Sequence, residues 1–259
     1  MRSPAGEMKM GGIIFDLDDT LIKFDAVSLP SWHKAVAPYI ESGDGLDSLR
    51  LVSEIRQYGQ WYYSDSERHR EGRHNLHATR RRIVRAAFDV LDIDDTGSAD
   101  TIADRYSTIR SEMIEPFPGI YDTLNAIRTA EIPMLLVTNG EAVSQREKID
   151  RFELAGFFKW ILIEGELGYG KPDERIFDQI EDLFEASGSQ LTIVGDNLEW
   201  EIEVPSGRGY CTVWHDWRGA GLPADSTARP DHIIGSIPEL LHIVGIEPSE
   251  GDAADPGEL

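Results

Sequence analysis

The chain has 259 residues, which is enough for one large domain or for a core with an inserted domain. It carries 47 acidic and 25 basic residues, for a formal net charge of −22. A surface of this charge repels nucleic-acid phosphates, so nucleic acid is not an expected partner. The sequence contains no apolar run of ~18 residues, so a membrane is not an expected partner either.

The cysteine content and the opening residues favour a cytoplasmic location. Cys211 is the only cysteine, which excludes an internal disulfide and suits a reducing compartment. The opening residues, MRSPAGEMKM, lack the apolar stretch of a secretory signal. The excess of acid over lysine is compatible with a salt-rich cytoplasm and equally with an ordinary acidic protein. A monomer and a homodimer both remain open.

A long helical segment separates the first two predicted strands. The first strand, Gly12–Phe15, is a short apolar run that ends at Asp16, and the second begins only at Met134. Between them, apolar residues recur at helical spacing. The helices predicted from this spacing span residues 46–60, 76–91 and 99–114. The sequence therefore indicates a helical domain inserted after the first strand.

The composition of the joining segments sets the predicted domain limits. Residues 115–119 (EPFPG) contain two prolines and a glycine, which end the helical pattern and indicate re-entry into the core. We therefore predict a core of residues 1–21 and 116–246, with an inserted helical domain of residues 22–115. Residues 247–259 are acidic and nearly devoid of apolar side chains, so we expect a disordered tail.

Strands and helices alternate after the insert. The predicted strands span residues 134–138, 160–163, 191–194, 210–214 and 232–234. The predicted helices span residues 120–130, 143–155, 174–185 and 237–244, with another near Glu199. Such alternation is typical of a doubly wound, mostly parallel sheet, so we predict a Rossmann-like α/β core with an inserted α-helical domain.

Polar side chains stand at the carboxyl ends of three predicted strands. They are Asp16 and Asp18 after the first, Thr138 and Asn139 after the second, and Asp196 after the strand at 191–194. In open α/β sheets, ligands bind beyond the carboxyl ends of the strands, so we expect these side chains to converge. Three carboxylates alone would repel an anionic ligand. Lys171 supplies the positive charge that such a site needs.

Four short motifs occur in a fixed order along the chain. They are DLDDT at residues 16–20, TNG at 138–140, Lys171 with Pro172, and GDN at 195–197. Each motif alone is weak, but the four in this order and spacing resemble the motifs of the haloacid dehalogenase superfamily of phosphohydrolases. The resemblance spans roughly residues 11–244. It implies that the inserted helical domain is a cap that covers the active site.

The resemblance implies catalytic roles for Asp16, Asp18, Thr138 and Lys171. Asp16 would attack phosphorus and form an aspartyl-phosphate, and Asp18 would protonate the leaving alcohol and then activate water. Thr138 and the amide of Asn139 would donate to the phosphoryl oxygens, and Lys171 would place a fixed positive charge against them. Thr20 is expected to bond to Asp18 or to the loop backbone, and Asp19 to serve the turn. The expected substrate-binding residues are Thr20, Asn139, Gly140, Arg73 and Arg81.

Magnesium is the predicted cofactor. Neighbouring carboxylates call for a cation, and Mg²⁺ takes hard oxygen ligands while it keeps several waters. Its expected ligands are Asp16, the backbone carbonyl of Asp18, and Asp196, with Glu201 holding a metal-bound water. Many relatives have an aspartate at the position of Glu201, and a glutamate is one methylene longer.

An arginine- and histidine-rich segment, residues 66–85, is unusual in this acidic chain. On a single helix, Arg70, His74, His77 and Arg81 would share one face. The segment would then overhang the pocket and bind an anionic or planar leaving group, with Arg73 and Arg81 as the contacts. The alternative is a solvated helix face that pairs with the acidic body of the protein.

The resemblance implies a Mg²⁺-dependent phosphomonoesterase acting on a small phosphorylated metabolite, such as a sugar phosphate, a phosphoglycolate-like compound or a nucleotide. A 2-haloacid dehalogenase, a phosphomutase and a non-catalytic module of the same fold remain as alternatives. The dehalogenase is disfavoured, because dehalogenases of the family typically lack the second aspartate and need no metal. Asp18 and Asp196 are both present here.

Overall fold

The computed structural model describes residues 10–41 and 47–247. Within these ranges, six strands form one parallel sheet in the order β3-β2-β1-β4-β5-β6. The strands are β1 (Gly12–Phe15), β2 (Met134–Thr138), β3 (Trp160–Ile163), β4 (Leu191–Gly195), β5 (Cys211–His215) and β6 (His232–Ile234). Most of the tail predicted to be disordered, residues 248–259, lies outside the described residues.

The helices of the described ranges cover both faces of the sheet and fill the insert. They are α1 (Ser28–Glu41), α2 (Ser48–Tyr63), α3 (Ser66–His74), α4 (Leu76–Val90), α5 (Thr96–Met113), α6 (Ile120–Thr129), α7 (Ala142–Arg151), α8 (Glu164–Leu167), α9 (Glu174–Phe184), α10 (Val204–Gly207) and α11 (Leu240–Ile243). Short 3-10 turns occur at Ala155–Phe157, Gly188–Gln190 and Ile237–Glu239, and a π-helical turn at Leu198–Glu203. None of the helices so described is long and apolar enough to cross a bilayer.

The three central strands are apolar because both of their faces are covered. All residues of β1, β2 and β4 are buried. Ile13 and Phe15 face one apolar core, while Ile14 faces a second core that includes Phe177 of α9. Burial on both faces accounts for the continuous apolar runs that predicted these strands. The doubly wound α/β core is therefore confirmed, and β1 lies between β2 and β4, so their carboxyl ends are neighbours.

The inserted helices α1 to α5 have an apolar core of their own. The ring of Trp32 from α1 stacks on Tyr106 from α5, with centroids 3.5 Å apart, and Ile83 and Phe88 of α4 pack in the same core. An isolated antiparallel bridge between Ile22 and Pro116 joins the chain segments that enter and leave the insert. The inserted helical domain is confirmed, and residues 22–115 remain its proposed limits.

The arginine- and histidine-rich segment forms two helices instead of one. Helix α3 ends at His74 and α4 begins at Leu76, because Asn75 between them has a non-helical backbone (φ −143°, ψ 57°). His74 and Arg81 therefore lie on different helices, and the single face expected for them does not form.

Helix α1 was also missing from the predicted elements. Its internal Pro38 obscured the helical pattern in the sequence.

Candidate active site

The loop after β1 is held in place by Asp19. This residue has a positive φ of 62°, and its carboxylate accepts the backbone N–H groups of Phe24, Asp25 and Ala26 at 2.8–3.3 Å. The prediction that Asp19 serves the turn is confirmed. The effect is to fix the path by which the chain leaves the sheet for the cap.

Thr20 contacts Asp16 and not Asp18. The Thr20 side chain is fully buried, and its hydroxyl donates to Asp16 Oδ2 at 3.3 Å. The sequence had suggested a bond to Asp18 or to the loop backbone. Because Thr20 is shielded from the cleft, its contact orients the Asp16 carboxylate and does not extend to a ligand.

Lys171 lies buried between two carboxylates. Its Nζ is 2.6 Å from Asp16 Oδ1 and 2.5 Å from Glu201 Oε1, and it also donates to the Val137 carbonyl at 3.1 Å. Burial, the largest influence, acts to lower the pKa of Lys171. The attraction and hydrogen bonds of Asp16 and Glu201 outweigh it and raise the pKa above the usual lysine value. The side chain is therefore a permanent cation beside Asp16.

Asn139 positions Lys171 through its side-chain amide. Asn139 Oδ1 accepts the Lys171 N–H at 2.9 Å, and Nδ2 donates to the Lys171 carbonyl at 2.5 Å. The next residue, Gly140 (φ 123°), donates its N–H to Glu164 Oε2 at 2.9 Å. The side-chain amide of Asn139 and the N–H of Gly140 thus have partners inside the protein. These groups therefore stabilise the site and do not contact a ligand.

Asp18 is held by two residues of α7 that the sequence reasoning missed. Lys148 Nζ lies 2.8 and 2.7 Å from the two Asp18 oxygens, and Gln145 Nε2 donates to Asp18 Oδ2 at 3.1 Å. Gln145 also donates to the Thr138 hydroxyl, so it joins the ends of β1 and β2. Two features of the sequence could have indicated them. Gln145 and Lys148 lie three residues apart and so share a helix face, and Lys148 is one of only six lysines in the chain.

Glu201 forms a buried ion pair with Lys171 in this structure. One oxygen contacts Lys171, and the other accepts the Asn197 N–H at 2.9 Å. Burial raises the pKa of Glu201 to about 7. Gly195 permits the approach, since a Cβ there would lie 2.1 Å from Glu201 Cγ. Both oxygens of Glu201 thus have partners inside the protein, and the predicted role of Glu201 in holding a metal-bound water stays a prediction.

The remaining oxygen donors fit a magnesium ion. Asp196 follows β4, and no described residue donates a hydrogen bond to its carboxylate. Burial raises the pKa of Asp196 well above its usual value, and the charges of Asp16 and Glu201 raise it further. Across residues 10–41 and 47–247, no three His, Cys, Asp or Glu side chains form a metal-binding group. Two carboxylates, Asp16 and Asp196, with the Asp18 carbonyl are the hard donors that Mg²⁺ takes when water and phosphate complete its shell.

The cap contacts the core through Arg73. Its guanidinium donates two hydrogen bonds of 2.7 Å to the buried Glu164, and His74 Nε2 lies 3.4 Å from the same carboxylate. Burial acts to raise the pKa of Glu164, but Arg73 and the Gly140 N–H hold it below its usual range. Arg73 is thus engaged by the core and not directed at a ligand.

Arg81 lies on the surface of the cap. It forms a forked pair with Asp104 of α5 at 2.9 and 2.6 Å, and Arg85 forms a similar pair with Asp100. This arrangement favours the alternative interpretation of the arginine-rich segment, with the difference that the acidic partners belong to the cap itself. We therefore leave Arg81 out of the proposed site.

A cleft of about 550 Å³ between cap and core reaches Lys171. The cap contributes His69 and Arg73, and the core contributes Glu164 and Trp200. His69 stacks on Trp200 with ring centroids 5.3 Å apart. The cleft therefore lies beside the segment that carries Lys171.

His215 on β5 supports the loop of Asp19 and makes stability depend on pH. It is buried, and its Nδ1 lies 3.0 Å from the Asp19 carbonyl oxygen. Burial lowers the pKa of His215 to about 4 from the usual 6.5. Between these values the unfolded chain binds a proton that the folded protein excludes. Stability is thus present above pH 6.5 and is lost as the pH falls toward 4, by roughly 3 kcal/mol.

The variant His215→Asn should keep a donor near the Asp19 carbonyl and remove the titration. We expect the free energy of unfolding of this variant to fall less steeply between pH 6.5 and 4 than that of the wild type. Urea unfolding at a series of pH values measures both slopes. Equal slopes would contradict a neutral, buried His215.

The protein is thus a doubly wound α/β protein with a helical insert and a buried aspartate–lysine pair at the carboxyl edge of its sheet. The model of the haloacid dehalogenase-like hydrolases matches residues 10–204. The match covers most of the chain, so the protein belongs to this hydrolase family, as the four motifs predicted.

Individual relatives agree with this assignment. The chain is 26% identical over 233 residues to the glyceraldehyde 3-phosphate phosphatase of Pyrococcus furiosus, covering 90% of this chain and 92% of that protein. It is 35% identical over 125 residues to the phosphoserine phosphatase of Thermus thermophilus, covering 48% and 49%. The magnesium-bound HAD-hydrolase YfnB from Bacillus subtilis superimposes with a TM-score of 0.71 at 20% identity, over 92% of this chain and 100% of that one. The structural match supports the capped fold.

Proposed function

We propose that the protein is a Mg²⁺-dependent phosphomonoesterase that hydrolyses a small phosphorylated metabolite through an aspartyl-phosphate on Asp16. The observation that carries the proposal is the 2.6 Å contact between Asp16 and the buried Lys171, with Asp18 two residues away. Burial raises the pKa of Asp16 above its usual value, and the charge and hydrogen bond of Lys171 oppose this rise. A carboxylate nucleophile and a fixed cation for a phosphoryl group stand side by side.

The residues divide the reaction into two steps. In the first, an Asp16 oxygen bonds to phosphorus while the ester oxygen leaves and takes a proton from Asp18. In the second, water gives a proton to Asp18 and attacks phosphorus, and the Asp16 carboxylate is released. In both steps the positive charge of Lys171 beside Asp16 would offset the charge of the phosphoryl oxygens, and the Thr138 hydroxyl would donate to one of them. A bound magnesium ion, held by Asp16, Asp196 and the Asp18 carbonyl, would add positive charge against these oxygens.

The relatives support a phosphatase over the alternatives. Three relatives that match 90% of this chain are named as phosphatases. Asp18 and Asp196 are both retained, which disfavours a 2-haloacid dehalogenase. A phosphomutase would use the same two aspartates and would return the phosphoryl group to a second hydroxyl. The cytoplasmic location stays a prediction. The oligomeric state, monomer or homodimer, also stays a prediction.

Phosphate release tests the proposal. We expect release from p-nitrophenyl phosphate and from members of a panel of phosphorylated metabolites, with Mg²⁺ required and EDTA inhibitory. Asp16→Asn, which keeps the shape of the side chain, should lose essentially all activity because the nucleophile is gone. The proposal fails if no panel member is hydrolysed at low or high salt, or if Asp16→Asn keeps wild-type activity. Transfer of phosphate to a second substrate hydroxyl would identify a mutase.

A further inference from the structure

A second cavity, of about 400 Å³, lies within the cap next to the proposed active site. It shares His69 and Arg73 with the cleft that reaches Lys171. Its floor includes Phe24, from the loop that follows Asp18 and Thr20. The cavity thus adjoins both the cleft and the loop that follows the candidate catalytic aspartates.

Arg80 of α4 lines the cavity without a carboxylate partner. Its guanidinium lies 5.2 Å from the centre of the Tyr106 ring, and no ion pair to it is found among the described residues. Burial, together with the charge of Arg110, lowers the pKa of Arg80 to about 10. By contrast, Arg81 and Arg85 of the same helix are paired with aspartates on the outer surface.

Two further cations stand close to Arg80. Arg110 is buried, donates twice to the Phe24 carbonyl, and lies 3.7 Å from the centre of the Phe24 ring. Lys148 lies 3.9 Å from the centre of that ring. Lys148 has Asp18 as its partner, and Arg110 reaches Asp25 only at 4.0 Å. In a chain of net charge −22, Arg80 without an ion pair among the described residues and Arg110 with only a distant one form a local site for an anion.

The walls of the cavity are apolar and aromatic. Trp32, Ile55, Ile83 and Tyr106 are among the residues that line it. Such walls accept a carbon skeleton, and a few convergent charged groups then fix its orientation. The cavity is therefore built for a small molecule that is apolar or hydroxylated along its length and anionic at one point.

We propose that this cavity receives the leaving group, and that Arg80, supported by the charge of Arg110, binds an anionic group on it. The inference rests on the proposed phosphatase activity and names its substrate class: a phosphomonoester whose alcohol carries a second anion. A carboxylate and a second phosphate both match the forked donors of an arginine. Simple neutral sugar phosphates lack the group that Arg80 would bind.

Matched substrates test the proposal. Glycerol 3-phosphate has a neutral leaving group, 3-phosphoglycerate replaces its terminal hydroxymethyl with a carboxylate, and propane-1,3-diol bisphosphate carries a second phosphate. We expect kcat/KM for at least one anionic ester to exceed that for glycerol 3-phosphate by about tenfold or more, as one charge-assisted hydrogen bond would give. The preferred ester shows which anion the site takes.

The variant Arg80→Gln should reduce that preference about tenfold, and Arg80→Lys should restore part of it because the charge returns. The control is Arg85→Gln, on the same helix but paired with Asp100 at the surface, which should keep the wild-type preference. Equal kcat/KM for the three esters in the wild type, or an unchanged preference in Arg80→Gln, would overturn the proposal. Absence of hydrolysis of every ester, p-nitrophenyl phosphate included, would instead overturn the phosphatase function itself.

Discussion

Replacing Lys171 with methionine is expected to cost about 3–5 kcal/mol of folding free energy and to abolish phosphate release. Methionine fills a similar volume but leaves Asp16 and Glu201 buried together without their cation. Both carboxylates would then have to take up protons or draw water into the core. Urea unfolding in EDTA measures the stability without a contribution from metal ions, and the phosphatase assay measures the activity.

The double variant Lys171→Met with Glu201→Gln separates stability from chemistry. Removing the second carboxylate should recover part of the lost folding free energy, because a neutral amide no longer requires the lysine. Activity should stay absent, since no cation remains beside Asp16. A Lys171→Met protein that unfolds at wild-type urea concentrations would show that the buried contacts of Lys171 contribute little.

Asp18→Asn is expected to lower kcat about 10²- to 10⁴-fold for esters of ordinary alcohols, because the leaving oxygen no longer receives a proton. With p-nitrophenyl phosphate the first step should be much less affected, since p-nitrophenolate leaves without protonation. The second step should remain slow, because the variant has no Asp18 carboxylate to accept a proton from water. A rapid burst of about one equivalent of p-nitrophenol, followed by slow turnover, is therefore the expected result.

Stopped-flow absorbance measures this burst, and Asp104→Asn provides a control in which a cap carboxylate with an arginine partner is neutralised far from Asp16. The control should behave as the wild type does. Equal slowing of both substrate types in Asp18→Asn, with no burst, would assign Asp18 to a structural role. The two contacts between Asp18 and Lys148 would then account for that structural role.

The sheet and the candidate residues at its edge followed from local sequence patterns. β1, β2 and β4 are short apolar runs buried on both faces, so their positions and the order of their polar ends can be read along the chain. Parallel pairing then places Asp16, Thr138 and Asp196 at one edge. Nothing beyond the length and composition of these runs was needed for this part of the fold.

The partners of the site residues depend on tertiary packing that no local pattern records. Glu201 had the sequence position of a metal-site residue, yet the close approach allowed by Gly195 places it on Lys171. Arg73 was expected to meet a ligand and instead meets Glu164, which lies in the core 91 residues away along the chain. Arg80 was one of several arginines in its segment. Only the folded cap distinguishes it from Arg81.

Glu164 makes the cap and the core share a single hydrogen-bond acceptor. Its carboxylate takes two N–H groups from Arg73 of the cap and one from Gly140, close to Thr138. If the cap swung away, this buried anion would lose its cation and would have to be hydrated before the two parts separated. Separating the cap from the core would therefore break this ion pair together with the stacking of His69 on Trp200.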